Sequence, residues 1–428
     1  MKYGLLGKNL KNNFSKEIAE SFGLDHYELM EVDENDFVEF LEAKQFKAIN
    51  VTFPYKKIAY NHVDYLSDLA REVGAVDTII VKEGATYGYN TDYKGFEYML
   101  TKHSISLKNK KVLIIGNGGT AKAVKLITKK MGSREINVVD IKNSVGSISY
   151  IECYAKHLNS EIVINTSPVG MSPEIDQSPI DMKLFSKCEA VIDVVNNPIL
   201  TLLGLDAQEN GIKRIVGIEM LIAQIKASAE LILNTTITKK QLDQAIIDVS
   251  VKNLNIVLIG MPSSGKTTIG TLLSQKLNKE FIDMDQVIVD ITHMSVPEIF
   301  EASGEAGFRK LETLTALELS RKNNLIIGTG GGTIKNKINM DYLRLNGIIF
   351  FIDRDLKNLI SDDPNRPLSS SKEAVAKLYQ ERFPIYQNFA TAIIPNNDQI
   401  EDTVEEIIQA FYKIALHAVN EEEYTINK

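Results

Sequence analysis

The sequence predicts an α/β protein of more than one domain, built from short buried strands that alternate with amphipathic helices. Two stretches carry that prediction most directly. Lys111–Ile115 and Ile256–Ile259 are runs of strand length, and each leads at once into a glycine loop and then into apolar residues at helical spacing. A third observation lies upstream: Lys2–Leu6 and Lys47–Phe53 read as strands, with helices expected over Phe14–Phe22 and Lys57–Leu69. Strands separated by helices pair in parallel, so parallel sheets covered by helices are expected.

The 428 residues exceed what one core serves and suggest two to three domains of about 100–200 residues. With 44% hydrophobic and 24% charged residues the composition is globular. A net charge of −8 argues against a nucleic-acid-binding surface, because phosphate neutralisation needs a basic field. It leaves small anionic substrates open. The opening MKYGLLGKNLKNNF has no apolar core of signal-peptide length, and no stretch approaches the roughly 18 apolar residues of a spanning helix. A cytoplasmic protein without membrane contact is therefore expected. Cys153 and Cys188 are too few for a disulfide framework or a zinc site. The polar stretch after Val419 is expected to fray.

Three clusters in the first hundred residues are polar where packing does not require it. They are Asn13-Phe14-Ser15, the run Asn50-Val51-Thr52-Phe53-Pro54-Tyr55-Lys56, and Gly88-Tyr89-Asn90-Thr91-Asp92. Pro54 ends a strand and leaves Lys56 at a helix start, where an ammonium meets the positive end of the dipole. Such a lysine serves a demand other than helix stability.

After Lys111–Ile115 come Gly116-Asn117-Gly118-Gly119-Thr120-Ala121 and a helix with Val124, Ile127 and Met131 on one face. A second strand, Ile136–Val139, ends in Asp140, 21 positions after Gly119. That spacing places a carboxylate where a Rossmann-like unit reads the adenosine ribose. A carboxylate there accepts from a 2′-hydroxyl and repels a 2′-phosphate, and Lys142 is the one nearby cation that could compensate. NADH is therefore expected to serve at least as well as NADPH.

Gly260 to Thr267 fits G-x-x-x-x-G-K-[ST], a phosphate-binding loop between strand and helix. Gly260, Pro262, Ser263, Ser264, Gly265 and Thr268 would line the cradle, Lys266 would reach the terminal phosphates of a nucleotide, and Thr267 is placed to ligate Mg²⁺. In Phe281-Ile282-Asp283-Met284-Asp285 two carboxylates alternate on a strand end, and period two aims both one way. One suits a metal shell and the other an acceptor hydroxyl.

The polar clusters, in their order, resemble the shikimate dehydrogenase family over roughly Met1–Leu233. That family carries S-x-S, N-V-T-x-P-[FY]-K, G-A-x-N-T and G-x-N-T-D, then G-x-G-G-x-[AS]. The resemblance implies Lys56 and Asp92 as catalytic pair. Asn13, Ser15, Asn50, Thr52, Asp77, Asn90, Thr91 and Gln224 would bind the substrate. Gly116, Gly118, Gly119, Thr120, Ala121, Thr166 and Met171 would bind NADP or NAD, with Asp140, Lys142 and Gly217. Which member of the Lys56–Asp92 pair moves the proton is left open. Asn13 stands where the family has Ser, and Asn196 in DVVNNPILT stands where it has Tyr. Asp77 replaces Asn in Gly74-Ala75-Val76-Asp77-Thr78, which puts a negative charge beside a substrate hydroxyl.

From roughly Leu254 to Ala415 the chain resembles shikimate kinase. The motifs are the phosphate loop, Gly304–Arg309, the triplet Gly330-Gly331-Gly332 after the strand Leu325–Gly328, Arg366-Pro367-Leu368, and Arg382 in ERFPIYQNFA. The resemblance implies Mg²⁺ at Thr267 and Asp283, Asp285 and Lys266 in catalysis, and substrate at Asp285, the glycine triplet, Arg309 and Arg382. Arg366 would act from a lid over the ATP phosphates. The stretch Leu359–Pro364 has no arginine where that family stacks one on adenine.

The expected division is 1–101 as substrate domain with a helix at 219–245 packing back on it, 102–218 as dinucleotide domain, 246–253 as connector, 254–415 as kinase and 416–428 as tail. Together the two resemblances imply reduction of 3-dehydroshikimate followed by phosphorylation of shikimate, with shikimate free to diffuse between sites. A monomer and a homodimer are both compatible with this. The alternative expectation is an active kinase fused to a degenerate shikimate-binding or a quinate/shikimate-type dehydrogenase module.

Overall fold

The structure is a computed structural model and describes residues 2–8, 10, 13–359 and 372–420. It forms two compact units, Met1–Val249 and Ser250–Lys428.

The first unit begins with β1 (Tyr3–Gly7), α1 (Ser15–Ser21), β2 (Tyr27–Glu31), α2 (Glu34–Ala43), β3 (Ala48–Val51), α3 (Lys56–His62), β4 (Tyr65–Leu66), α4 (Asp68–Val73), β5 (Thr78–Lys82) and β6 (Ala85–Tyr89). The six strands form one mixed sheet in the order β2-β1-β3-β5-β6-β4. Its core packs Leu6, Ile49 and Val51 against Phe37, Leu41, Tyr55 and Ala59. The single helix expected over Lys57–Leu69 is instead α3, β4 and α4. Tyr65 and Leu66 pair with Tyr87 and Gly88, the Asp64 carboxylate accepts from Thr86 N (2.7 Å), and Ser67 caps α4 by accepting from Ala70 N. Bonds to a distant strand therefore outweigh local helical periodicity there.

The unit continues with α5 (Asp92–Lys102), β7 (Lys111–Ile115), α6 (Gly119–Lys130), β8 (Glu135–Val139), α7 (Tyr150–Lys156), β9 (Ile162–Asn165), β10 (Ala190–Asp193), α8 (Leu202–Glu209), β11 (Lys213–Ile215), α9 (Ile218–Leu233) and α10 (Lys239–Asn253). Strands β11-β10-β9-β7-β8 form a parallel sheet. Phe96, Met99 and Leu100 of α5 share one core cluster with Val112, Ile114 and Met220, so packing is continuous across residues 101 and 102. The stretch 219–245 is two helices, because Asn234 turns left-handed (φ 51) after α9. The buried Glu219 at the start of α9 pairs with Lys102 (2.9 Å) and His103 (2.7 Å), which ties α9 to the end of α5. The division between the two units falls within α10.

The second unit contains β12 (Asn255–Ile259), α11 (Lys266–Leu277), β13 (Glu280–Asp283), α12 (Met284–Thr292), α13 (Val296–Ser320), β14 (Leu325–Gly328), α14 (Lys337–Leu345), β15 (Gly347–Asp353), α15 (Lys372–Phe389), β16 (Ala392–Pro395) and α16 (Ile400–Asn420). Its parallel sheet has the order β13-β14-β12-β15-β16. Ile269, Leu273, Val404, Ile407 and Phe411 cover one face, and Ala316, Leu319, Met340, Leu343 and Tyr386 the other. Strands buried on both faces read as continuous apolar runs, which is why β12 and β14 stand out in the sequence. Among the described residues no helix is long and apolar enough to cross a membrane.

Candidate functional site

In the first unit, a cavity of about 120 Å³ opens beyond the ends of β1 and β3, against the first turns of α5, α6 and α9. Lys56 Nζ donates to Asp92 Oδ2 at 2.6 Å and lies 3.2 Å from Thr120 Oγ1, which donates to the same carboxylate oxygen at 3.0 Å. Lys56 and Asp92 are both buried. Asp92 opens α5, where the dipole favours a carboxylate, whereas Lys56 opens α3, where the dipole disfavours an ammonium. The ion pair offsets that cost and fixes a cation on the cavity wall.

Asn13, Ser15, Asn50, Thr52 and Gln224 also line this cavity, as does Asn196. Asn50 is locked: Tyr27 Oη donates to its Oδ1 (2.8 Å), and its Nδ2 donates to Thr78 Oγ1 (3.0 Å) and Ser228 Oγ (2.8 Å). Tyr27 lines the cavity and carries no motif signal in the sequence. Asp77 behaves differently from the expectation of a charge beside the substrate. It is fully buried, and its carboxylate accepts from Thr91 N (2.7 Å), Asp92 N (2.8 Å) and Thr91 Oγ1 (2.8 Å), capping α5. Burial, followed by the Asp92 charge, raises its carboxyl pKa above the usual range against the pull of Lys56. Asn90 Nδ2 donates to Ala75 O (3.1 Å), while its Oδ1 accepts from Tyr93 N (3.1 Å). Asn90 and Thr91 border a different cavity of about 700 Å³, formed with Ala223, Lys226 and Leu242.

The glycine loop sits against Lys56. Gly116 has φ +98, Gly118 precedes α6, and a Cβ at Gly119 would stand 3.0 Å from Lys56 Cβ. Ala121 is buried in α6. Thr166 Oγ1 donates to Ile115 O (2.7 Å), while Met171 is exposed in the loop after β9. That loop is interlocked with the one after β10: Asp193 accepts from Asn165 Nδ2 (3.0 Å) and Thr201 Oγ1 (2.6 Å), and burial pushes its carboxyl up to about 6. Asp140 follows β8 directly. The Ser144 hydroxyl and then the Lys142 N–H (3.3 Å) hold its carboxyl below the usual range despite partial burial, so it is ionised at neutral pH. Lys142 itself is exposed. Gly217 caps α9, and any Cβ there would overlap the Val195 carbonyl oxygen. Gly217→Ala is accordingly expected to lower the stability of this unit by about 1–3 kcal/mol, an overpacking cost read as a drop in its thermal midpoint.

In the second unit a cavity of about 440 Å³ is lined by Pro262–Thr268, Asp283, Asp285, Arg309, Glu312, the glycine triplet, Arg354 and Arg382. Gly260 (φ +153) and Gly265 (φ +96) take conformations that L side chains rarely adopt, and they let the loop turn from β12 into α11. Lys266 Nζ donates to the carbonyls of Gly260 (3.0 Å) and Met261 (2.9 Å). Thr267 Oγ1 lies 3.3 Å from Asp283 Oδ2. The two acidic residues do not alternate along one strand as expected. β13 ends at Asp283, whose carboxylate accepts from Asp285 N (3.0 Å) and caps α12, so Asp285 belongs to the helix's first turn.

Asp285 faces the glycine triplet, with a would-be Gly330 Cβ only 2.7 Å from its Oδ1. Arg309 pairs with Glu312 and with Glu305 (3.1 Å). Arg382 Nη1 donates to Gly331 O (2.9 Å), which also accepts from Tyr386 Oη (2.6 Å). A Cβ at Gly332 would press into the Arg309 guanidinium, so the triplet is a floor against which acceptor-side groups close-pack. Glu312 is fully buried and accepts from Thr333 Oγ1 (2.7 Å); its only sequence signal is the i,i+3 spacing to Arg309. Arg366 lies outside the described residues.

Four buried polar atoms on this lining, Ser264 Oγ, Asp285 Oδ1, Arg354 Nε and Arg382 Nε, have no partner among the described residues. Such atoms are rare unless a ligand or water satisfies them. Their spread from the phosphate loop to the acceptor side fits a nucleotide beside a small polar acceptor. Thr267 and Asp283 supply the hard oxygen donors that Mg²⁺ prefers.

Fold and sites define a dinucleotide-dependent carbonyl reductase joined to a P-loop phosphotransferase. Residues 6–79 match the family described as "Shikimate dehydrogenase substrate binding domain", and residues 262–412 match "Shikimate kinase". The chain is 34% identical over 242 residues to shikimate dehydrogenase (NADP(+)) of Clostridium beijerinckii, covering 53% of this chain and 89% of the relative. It is 44% identical over 155 residues to the shikimate kinase of the same organism, covering 36% of this chain and 91% of that protein. The crystal structure of shikimate dehydrogenase 1 from Peptoclostridium difficile superposes with a TM-score of 0.54 at 28% identity, covering 58% of this chain and 98% of that one. The chain thus belongs to the shikimate dehydrogenase family in its N-terminal part and to the shikimate kinase family in its C-terminal part, a fusion of two shikimate-pathway enzymes.

Proposed function

We propose that this chain reduces 3-dehydroshikimate to shikimate with NADPH or NADH in the unit Met1–Val249, and phosphorylates shikimate with Mg-ATP in the unit Ser250–Lys428. The carrying observation is the Lys56–Asp92–Thr120 triangle, which joins a buried cation to the first turn of the glycine-loop helix within one cavity. A bound nicotinamide supplies the hydride. Lys56, held by Asp92, stabilises the oxygen that becomes an alkoxide and is a proton source for it. Asn13, Ser15, Thr52 and Gln224 orient the hydroxy-acid, with Asn50 as a rigid wall.

In the kinase unit Asp285 takes the proton of the attacking hydroxyl. Arg309 and Arg382 clasp the substrate carboxylate, a geometry that suits the guanidinium fork. Lys266 neutralises charge on the transferring group, while Thr267 and Asp283 hold the metal. Incubation with 3-dehydroshikimate, reduced cofactor and Mg-ATP is expected to yield shikimate 3-phosphate, with one cofactor oxidised per phosphate transferred. Added unlabelled shikimate is expected to dilute label passing between the sites. Kinase activity without cofactor oxidation would overturn the reductase assignment.

Asp140 bears on cofactor choice. Its ionised carboxylate directly follows β8, the position at which a Rossmann-like unit reads the adenosine ribose, so kcat/KM with NADH is expected to equal or exceed that with NADPH. Asp140→Asn is expected to raise kcat/KM for NADPH about tenfold by removing a partly screened like-charge contact. A large NADPH preference in the wild-type chain would refute this reading.

A further inference from the structure

Arg354 occupies a position on the phosphotransferase cavity that none of the roles above uses. It is the first residue beyond β15, and β15 lies beside β12, the strand that feeds the phosphate loop, with Phe351 opposite Ile259. The strand end therefore delivers Arg354 to the loop. Its Nη1 donates to Ser263 O at 3.3 Å, and its Nε is buried without a partner among the described residues. The neighbouring Ser264 Oγ is also buried and has no partner among those residues. This edge is braced from the far strand: Asn396 Nδ2 donates to Ser264 O (2.8 Å), and Asp355 N donates to Asn397 Oδ1 (2.8 Å).

A guanidinium carries five donors, and among the described residues this one spends a single long bond on the protein. Leaving a buried cationic donor unmade costs stability, which favours a site built to be completed by an anion. The other arginines of the cavity have different duties: Arg309 is held by Glu305 and Glu312, and Arg382 by the Gly331 carbonyl. Among the described residues, Arg354 instead makes its hydrogen bond to the phosphate loop, at Ser263 O, and lines the same cavity as Ser263 and Ser264. We propose that Arg354 is a nucleotide-binding residue, whose Nε and Nη donors grip the phosphate chain of the nucleoside di- or triphosphate seated in the loop Gly260–Thr268. Arginine suits this task because its fork meets two phosphate oxygens at once.

The inference rests on the kinase reading, and its test separates the two. Binding of Mg-ADP and, separately, of shikimate to the full chain is measured by calorimetry for wild type, Arg354→Ala, Arg354→Lys and Arg354→Gln. Arg354→Ala is expected to weaken ADP about tenfold, the scale of one charge-assisted contact, with shikimate affinity within about twofold of wild type. Lysine restores part of the loss. Glutamine, which keeps a donor for the Ser263 carbonyl but no charge, restores none. KM for ATP rises in parallel with the ADP constant while KM for shikimate stays level. Unchanged ADP affinity in Arg354→Ala overturns the assignment, as does full rescue by glutamine, which would mean that Arg354 only braces the loop. Wild-type chain that binds ADP yet phosphorylates no shikimate defeats the kinase reading and leaves the ADP comparison decisive for Arg354.

Discussion

Lys56→Ala is expected to lower kcat for 3-dehydroshikimate reduction by about 10²–10⁴-fold, the range for losing a positioned proton-transfer group, while the same chain phosphorylates shikimate at the wild-type rate. The size follows from burial. Lys56 is the cation bonded to Asp92 on this cavity, so an alkoxide forming there would face an uncompensated carboxylate once it is gone. The loss should fall on kcat more than on KM, since the charge being stabilised appears only as hydride arrives. Asp92→Asn keeps the shape but removes the counter-charge and is expected to fall in the same range. Thr120→Val breaks the 3.0 and 3.2 Å contacts while leaving the ion pair, and should cost less. Cofactor binding, followed by quenching of reduced nicotinamide fluorescence, checks that the unit remains folded in each variant. An alanine variant that keeps more than a tenth of wild-type kcat would remove Lys56 from the chemistry.

Both glycine loops were legible because each is contiguous: a buried strand, a glycine turn and an amphipathic helix stand within about twenty residues, and local periodicity suffices to find them. β7 and β14 begin and end where the sequence pattern places them. What stayed hidden depends on contacts between distant segments. Asn50 is set by Ser228, 178 positions away, and by Tyr27, whose segment looks like any half-buried strand. The helix expected over Lys57–Leu69 breaks because Asp64 and Tyr65 find partners in β6. Asp77 is the instructive case. Its motif position suggests a substrate contact, yet the free N–H groups at the start of α5 compete for the same carboxylate and take it. The departure from Asn therefore bears first on how Asp92 is held.

Asp285→Asn is expected to lower kcat for shikimate phosphorylation by about 10²–10⁴-fold and to leave the reductase untouched. Phosphoryl transfer depends chiefly on positioning and charge neutralisation, but the attacking hydroxyl must still lose a proton to something. Asp285 is the half-buried carboxylate on this lining whose Oδ1 is buried with no partner among the described residues, whereas Glu312 is already held by Arg309 and Thr333, and Asp283 caps α12. Burial first, then the charges of Asp283 and Glu312, push its carboxyl up to about 6, against the pull of Lys266 and Arg309. A base must be ionised to accept a proton. The rate should therefore be full above that value and fall about tenfold per pH unit well below it, with a magnesium ion beside Asp283 drawing the limb lower. Initial rates from pH 4.5 to 8 at saturating Mg-ATP test this, and in Asp285→Asn the residual rate should lose the acid limb. A wild-type profile that stays level to pH 4.5 would instead mean that the hydroxyl proton leaves with the phosphoryl group itself, and Asp285 would then be a hydrogen-bonding anchor whose replacement raises KM more than it lowers kcat.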